Sequence, residues 1–108
     1  MHTIKIKFDY TYKILWEYDE KEIMDYKYLD FIEENKNILE LEDKIYNLYW
    51  DYIEYDSHGE QVWWNEEGMR KDKQKMLALL KKLNDRLNEI NDGSFIVEDL
   101  LTPYWEKL

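Results

Sequence analysis

Apolar residues recur at a helical spacing through the second half of the chain. They follow one another at steps of 7, 4, 3, 4 and 3 residues: Met69, Met76, Leu80, Leu83, Leu87 and Ile90. Steps of three and four residues place side chains on one face of a helix. Asn65 suits the N-cap before this run, and Gly93 suits the stop after it. The pattern predicts a long helix over 66–91, with lysines and arginines on its outer faces.

A second long helix is predicted over 38–55. Two apolar stripes run along it: Leu41, Ile45, Leu48, Tyr49 and Tyr52 in the first, and Tyr46, Trp50 and Ile53 in the second. A helix that is apolar over more than half of its circumference is buried on several sides. We expect the two helices to form an antiparallel hairpin, joined by a polar turn at 56–60.

Strands are predicted at both ends of the chain. Ile4, Ile6 and Phe8 alternate with lysines, which predicts a half-buried strand over 3–8. A second strand or an extended arm is expected over 11–18, a short helix over 27–34 and a strand over 94–98. Thr102-Pro103 favours one last helical turn, with proline at its first position.

These elements predict one helix-rich α+β domain over 1–108. A small sheet, made of an N-terminal strand or hairpin and the C-terminal strand, should pack against the antiparallel helix pair. The first and last strands should pair with each other.

Acidic residues are concentrated in one part of the chain. Residues 16–60 contain 15 carboxylates and 4 lysines, a net charge of −11, while the whole chain has a net charge of −10. This stretch also holds 10 of the 18 aromatic residues. Phosphates would be repelled, which argues against binding to nucleic acid or anionic lipid. An acidic and aromatic surface is suited to a basic surface on another protein.

Composition also bears on the compartment. The chain has no cysteine, which fits a reducing cytoplasm. The N-terminus has no apolar signal-peptide region, and no apolar run approaches the roughly 18 residues that span a bilayer. A cytoplasmic location is therefore expected.

The sequence offers little for catalysis or for metal binding. Ser57 and His58 are adjacent in a predicted turn, which does not separate a nucleophile from its base. The spacing of Glu54, Asp56 and His58 matches the first half of an EF-hand loop, but Asn65 stands where a bidentate glutamate is needed. We expect a protein that is not an enzyme, with no cofactor and no metal site.

Polar residues form an outward ridge on the helix predicted over 38–55. Its members are spaced by 3, 4, 4 and 3 residues: Glu40, Asp43, Asn47, Asp51 and Glu54. Helical neighbours at this spacing stand about 5–6 Å apart, comparable to phosphates along one DNA strand. We predict that a partner is bound by five carboxylates of this region, with Trp50 or Tyr55 as an apolar anchor. The five are Glu40, Asp43, Asp51, Glu54 and Asp56. The alternative interpretation is a solvated helix face that serves solubility.

Several segments together resemble a known group of proteins. They are Ile6-Lys7-Phe8-Asp9-Tyr10, Leu15-Trp16, Tyr18-Asp19-Glu20, Asn91-Asp92-Gly93 and the run from Phe95 to Leu100, around a Leu- and Tyr-rich helix and a basic helix. The layout resembles small acidic immunity and anti-defence proteins of low-GC Gram-positive bacteria and their phages. The resemblance contains no catalytic motif. It implies an inhibitor of bacterial or phage origin.

Three functions remain open on the sequence. The first is an immunity protein that blocks the basic cleft of a toxin, and the second is a phage anti-CRISPR or anti-restriction protein that mimics DNA. The third is a homo-oligomeric structural or regulatory protein, in which the Met69-to-Ile90 stripe and the apolar tail from Leu100 to Leu108 form the subunit interface. The inhibitor readings imply a monomer or a weak homodimer.

Overall fold

The computed structural model describes residues 2–8, 14–18, 24–25, 34–55 and 61–108. In chain order the strands are β1 (His2–Ile6), β2 (Leu15–Tyr18), β3 (Met24–Asp25), β4 (Ile53–Tyr55), β5 (Gln61–Trp64) and β6 (Phe95–Asp99). The helices are α1 (Lys36–Asp51), α2 (Glu66–Lys71), α3 (Lys73–Ile90) and α4 (Leu101–Glu106). The predicted helix over 27–34, apart from Glu34, and the predicted turn at 56–60 lie outside the described residues.

A mixed sheet joins the two ends of the chain. Its strand order is β3-β2-β1-β6, and β1 pairs antiparallel with β2 and parallel with β6. The helix-rich α+β class is therefore confirmed, and so is the pairing of the first and last strands.

The sheet has one apolar face, which carries the core. Ile4 and Ile6 are buried there, and Ile6 pairs with the buried Leu15 of β2. On the opposite face, Lys5 Nζ lies 4.6 Å from the centre of the Tyr18 ring, and Lys7 Nζ donates a hydrogen bond of 2.7 Å to the Tyr18 hydroxyl. The alternation along β1 thus separates an apolar from a cationic and aromatic face, as the period of two predicts.

The first long helix, α1, begins as its sequence suggests but ends early. The Asn35 side chain caps it by accepting a hydrogen bond from the Ile38 amide at 3.2 Å. The predicted end at residue 55 is wrong, because α1 ends at Asp51 and the next residues form β4. Ile53 and Tyr55 are residue types that favour strands, and they pair with β5 in an antiparallel hairpin.

The second predicted helix is two helices. The Asn65 side chain caps α2 by accepting a hydrogen bond from the Gly68 amide at 3.0 Å, as predicted. The predicted continuous helix over 66–91 is interrupted at Asp72, which separates α2 from α3. There the Asp72 carboxylate accepts a 2.8 Å hydrogen bond from the Tyr52 hydroxyl. This contact ties the junction of α2 and α3 to the end of α1.

The two long helices are antiparallel. Residues 37–44 of α1 face residues 82–89 of α3, and residues 44–51 face residues 75–82. The connection between them contains the β4–β5 hairpin and α2. The apolar stripe of α2 and α3 is buried in the same core as the sheet: Met69, Met76, Leu80, Leu83 and Leu87. It therefore cannot form the subunit interface of the homo-oligomeric hypothesis.

The end of the chain packs back onto the core. The Asp99 carboxylate accepts hydrogen bonds of 2.9 Å from the amides of Leu101 and Thr102, which caps α4. Because α4 begins at Leu101, Pro103 is its third residue. The prediction that proline takes the first helical position is therefore wrong. Proline is tolerated at the third position since the first-turn amides have no partner within the helix. Trp105 is fully buried, and its Nε1 donates a 2.6 Å hydrogen bond to the Tyr49 hydroxyl.

A buried carboxylate fixes α1 against the sheet. Glu42 is only 5% exposed, and its Oε2 accepts hydrogen bonds from the amides of Ile14, at 3.0 Å, and Leu15, at 2.7 Å. Both amides lie where the chain enters β2, so one side chain of α1 satisfies two buried donors of the sheet. A carboxylate in this position is stabilised by the charge-assisted bonds that it accepts.

We expect Glu42→Ala to lower the free energy of unfolding by about 2–4 kcal/mol, because it leaves two buried amides without an acceptor. Glu40→Ala is the matched control, since Glu40 is exposed on the same helix and should change stability by less than about 0.5 kcal/mol. Urea unfolding followed by tryptophan fluorescence measures both. Equal effects of the two substitutions would show that Glu42 does not hold the sheet.

Candidate functional site

The predicted acidic ridge lies on the exposed side of α1. Glu40, Asp43 and Asp51 are all exposed, as is Asn47 between them. The ridge ends with the helix at Asp51. Of Glu54 and Tyr55 the structure describes only the backbone, which lies in β4, and Asp56 lies outside the described residues. Three of the five predicted carboxylates are therefore described on one helix face.

Two lysines lie beside this ridge. Lys36 and Lys44 are exposed on the same helix, four residues before and four residues after Glu40. Lys44 lines the groove between α1 and α3 together with Glu40 on one side and Asp51 on the other. Asp43 instead lines a separate depression with Lys36 and other α1 residues. Glu40 lines this depression as well as the groove, so the ridge is continuous from Asp43 to Glu40.

Of the four exposed carboxylates on α2 and α3, all but Glu67 are in ion pairs. Glu66, Asp85 and Glu89 each form an ion pair with a basic residue three or four positions away, at 2.7–3.2 Å. Within the described part of the chain, Glu40, Asp43 and Asp51 form no ion pair. Their charge is therefore available to a partner.

Trp50 stands beside the acidic residues, in an aromatic cluster. Phe8 lies at the centre of this cluster, and its ring stacks on that of Tyr49 with centroids 4.5 Å apart. The Phe8 ring packs nearly perpendicular to the rings of Trp50 and Trp64, at centroid distances of 6.2 Å and 5.7 Å. Trp50 also contacts Tyr46 at 6.0 Å. Phe8, Trp50 and Trp64 are half-buried, so each keeps part of its surface exposed. Trp50 is seven residues from Asp43, two helical turns along the same side of α1.

An apolar cleft of about 320 Å³ continues from this cluster toward α4. It is lined by Lys7, Phe8, Tyr49, Trp64, Met69, Leu100, Leu101 and Tyr104. Leu100 and Tyr104, at its rim, are 44% and 47% exposed. The predicted contact set contained none of Phe8, Leu100 and Tyr104. The excess of apolar residues in the tail is the only sequence signal that points to the last two.

The described residues that could serve as metal ligands or bases are scattered. His2 Nδ1 lies 2.7 Å from Oε1 of the buried Glu17, and among the described residues no serine hydroxyl bonds to that imidazole. No group of three acidic or histidine side chains within the described ranges is placed to hold a metal ion. The half EF-hand spacing at 54–58 extends beyond the described residues.

Two tyrosines on α1 and at its end have perturbed hydroxyls. Burial raises the pKa of Tyr49, and the hydrogen bond from Trp105 offsets this only in part. Burial also raises the pKa of Tyr52, and so does its hydrogen bond to Asp72. Folding therefore opposes ionisation of both groups. The stability that they contribute is fully present below the unfolded-state pKa of about 10 and is lost as the pH rises further.

We expect the free energy of unfolding to fall as the pH rises above about 10, and to fall less steeply in Tyr52→Phe, which has no hydroxyl to ionise. At pH 8, Tyr52→Phe should cost about 1 kcal/mol through the lost hydrogen bond. Urea unfolding across this pH range is the measurement. Tyr104→Phe is the control, because Tyr104 is exposed. If Tyr52→Phe kept the full alkaline slope, Tyr52 would not be the group responsible.

The chain matches no protein-family model, no curated protein and no solved structure. In the described residues, no helix combines the length and apolar character needed to cross a bilayer. The geometry of the site is therefore the basis for a functional proposal.

Proposed function

We propose that this protein is a small cytoplasmic inhibitor that binds a basic, nucleic-acid-binding cleft of another protein. The observation that carries the proposal is the state of Glu40, Asp43 and Asp51: they are exposed on one helix and form no ion pair within the described residues. Carboxylates at helical spacing can take the place of phosphates in such a cleft. Attraction between opposite charges also accelerates capture, up to about 10⁸–10⁹ M⁻¹s⁻¹ at low salt.

The aromatic cluster supports the same proposal. Binding energy at protein interfaces is concentrated in a few residues, with Trp and Tyr over-represented among them. Trp50 and Trp64 expose part of their rings, and Tyr104 is exposed at the rim of the adjoining cleft. The carboxylates of α1 would steer and orient the partner, and these rings would supply the apolar contact.

Two biological settings fit this chemistry. An immunity protein that neutralises a nuclease toxin is the first choice, and a phage-encoded anti-CRISPR or anti-restriction protein is the second. Both would use the same residues, so a neighbouring toxin gene or a prophage operon distinguishes them. The homo-oligomeric alternative is weaker, because the Met69-to-Ile90 stripe lies in the core. In the tail from Leu100 to Leu108, which this hypothesis also used, Leu100 and Tyr104 are exposed.

The test is binding of a partner identified from the source organism by affinity capture. We expect the double reversal D43K/D51K to weaken that binding at least tenfold, and the affinity of the unaltered protein to fall steeply between 50 and 300 mM salt. Duplex DNA should compete with the protein for the partner. Isothermal calorimetry gives the affinities, and thermal melting should show little change, because both positions are exposed.

The matched control is E67K/E106K, which changes the net charge equally at exposed positions on α2 and α4. It should bind within about threefold of the unaltered protein. Binding that is independent of salt, or equally weakened by both double variants, would contradict the proposal.

A further inference from the structure

A groove runs along the outer side of the two long helices. It has a volume of about 550 Å³, and its lining comes from one side of α1 and the facing side of α3: Lys44, Asn47, Leu48, Asp51, Lys75, Ala78, Leu79 and Lys82. A second cavity of about 490 Å³ continues it toward the N-terminal end of α1 and shares Lys44 and Lys82 with it.

The floor of the groove is apolar. Leu48 and Leu79 are half-buried and pack against the core, and Ala78 is exposed between the helices. Because the core lies directly beneath these side chains, the floor is a fixed surface of the fold.

The rim of the groove is basic, although the chain as a whole is acidic. Three lysines, Lys44, Lys75 and Lys82, stand against one carboxylate, Asp51, so the lining has a net charge of +2. Among the described residues these lysines form no ion pair, whereas the neighbouring Lys81 is paired with Asp85 at 2.8 Å. The groove therefore combines an apolar floor with available positive charge.

We propose that this groove docks an amphipathic helix of another protein whose apolar stripe is flanked by aspartates or glutamates. Helices bind grooves of this kind through apolar residues at successive turns. Residues 75–82 span about 10 Å, which matches the apolar contacts that two turns of a docked helix would make. The lysines on the rim select acidic flanks by charge complementarity.

Two other occupants fit less well. A nucleic acid would bring phosphates to the rim but would leave the apolar floor of Leu48, Ala78 and Leu79 without an apolar contact. A second copy of the chain would bring another net charge of −10 with it. The acidic helix uses both the floor and the rim.

This inference goes beyond the proposed function, because it assigns a partner of the opposite charge to the lysines of the groove, which Asp51 also lines. The carboxylates of α1 would bind a basic partner, and the lysines of α3 an acidic one. Substitution of Lys75 and Lys82 tests binding of the acidic helix, and substitution of Asp43 and Asp51 tests binding of the basic partner. Either test can therefore fail while the other succeeds.

The experiment uses a labelled 14-residue helical peptide with leucines at positions i, i+4 and i+7 and glutamates on both flanks. Fluorescence anisotropy with the full chain should show saturable binding, and a peptide with lysines in place of the glutamates should bind at least tenfold more weakly. K75E/K82E should weaken binding of the glutamate peptide at least tenfold. Ala78→Trp fills the groove without a change of charge and should also weaken it.

The control is K71E/K107E, which makes the same change of net charge at exposed lysines outside the groove. Circular dichroism and urea unfolding establish that each variant is folded. Equal losses in K75E/K82E and K71E/K107E would overturn the proposal in favour of unspecific attraction. Tighter binding of a single-stranded oligonucleotide than of the peptide would overturn it too. So would a dimer in sedimentation that Ala78→Trp dissociates, because a second copy would then occupy the groove.

Discussion

The fold depends on burying α1, a helix that is apolar over more than half of its surface. No single neighbour can cover such a helix. The sheet holds it on one side through Glu42, α3 covers the side of Leu41, and Phe8 and Trp105 cover the tyrosines near its end. What remains is a narrow exposed arc, and all of the exposed charge of α1 lies in it. The predicted acidic ridge is thus a consequence of how completely the rest of the helix is buried.

The regular parts of this architecture can be predicted from the sequence. The alternation of apolar and polar residues in β1 and the 4-3-4-3 spacing of apolar residues in α3 are strong sequence signals, because each element buries one apolar face. Asn65 could also be predicted as a cap, since the residue type and the acidic first turn agree. The exposure of Glu40, Asp43 and Asp51 followed from the same helical period.

The rest depends on contacts between residues that are far apart in the chain. The interruption at Asp72 involves the Tyr52 hydroxyl, 20 residues earlier, and local propensity does not report it. Glu42 sits in an acidic run between two exposed carboxylates, yet it is buried because it meets amides 27 and 28 residues away. In the sequence, Phe8 looks like an ordinary strand residue. Its position at the centre of the aromatic cluster can be known only once α1 and β5 are packed against it.

The parallel pairing of β1 with β6 has a consequence for synthesis of the chain on the ribosome. Ile4 of β1 lies beside Val97 of β6, so one neighbour of this central strand is synthesised about 90 residues later. The loop that must close is nearly the whole domain, and long-range pairings of this kind form slowly. Until β6 and α4 have emerged, the edge of β1 and the cavity that Trp105 fills are open. The aromatic cleft, whose lining includes Leu100, Leu101 and Tyr104, thus reaches its final form only after this region has been translated, which confines binding through it to the finished domain.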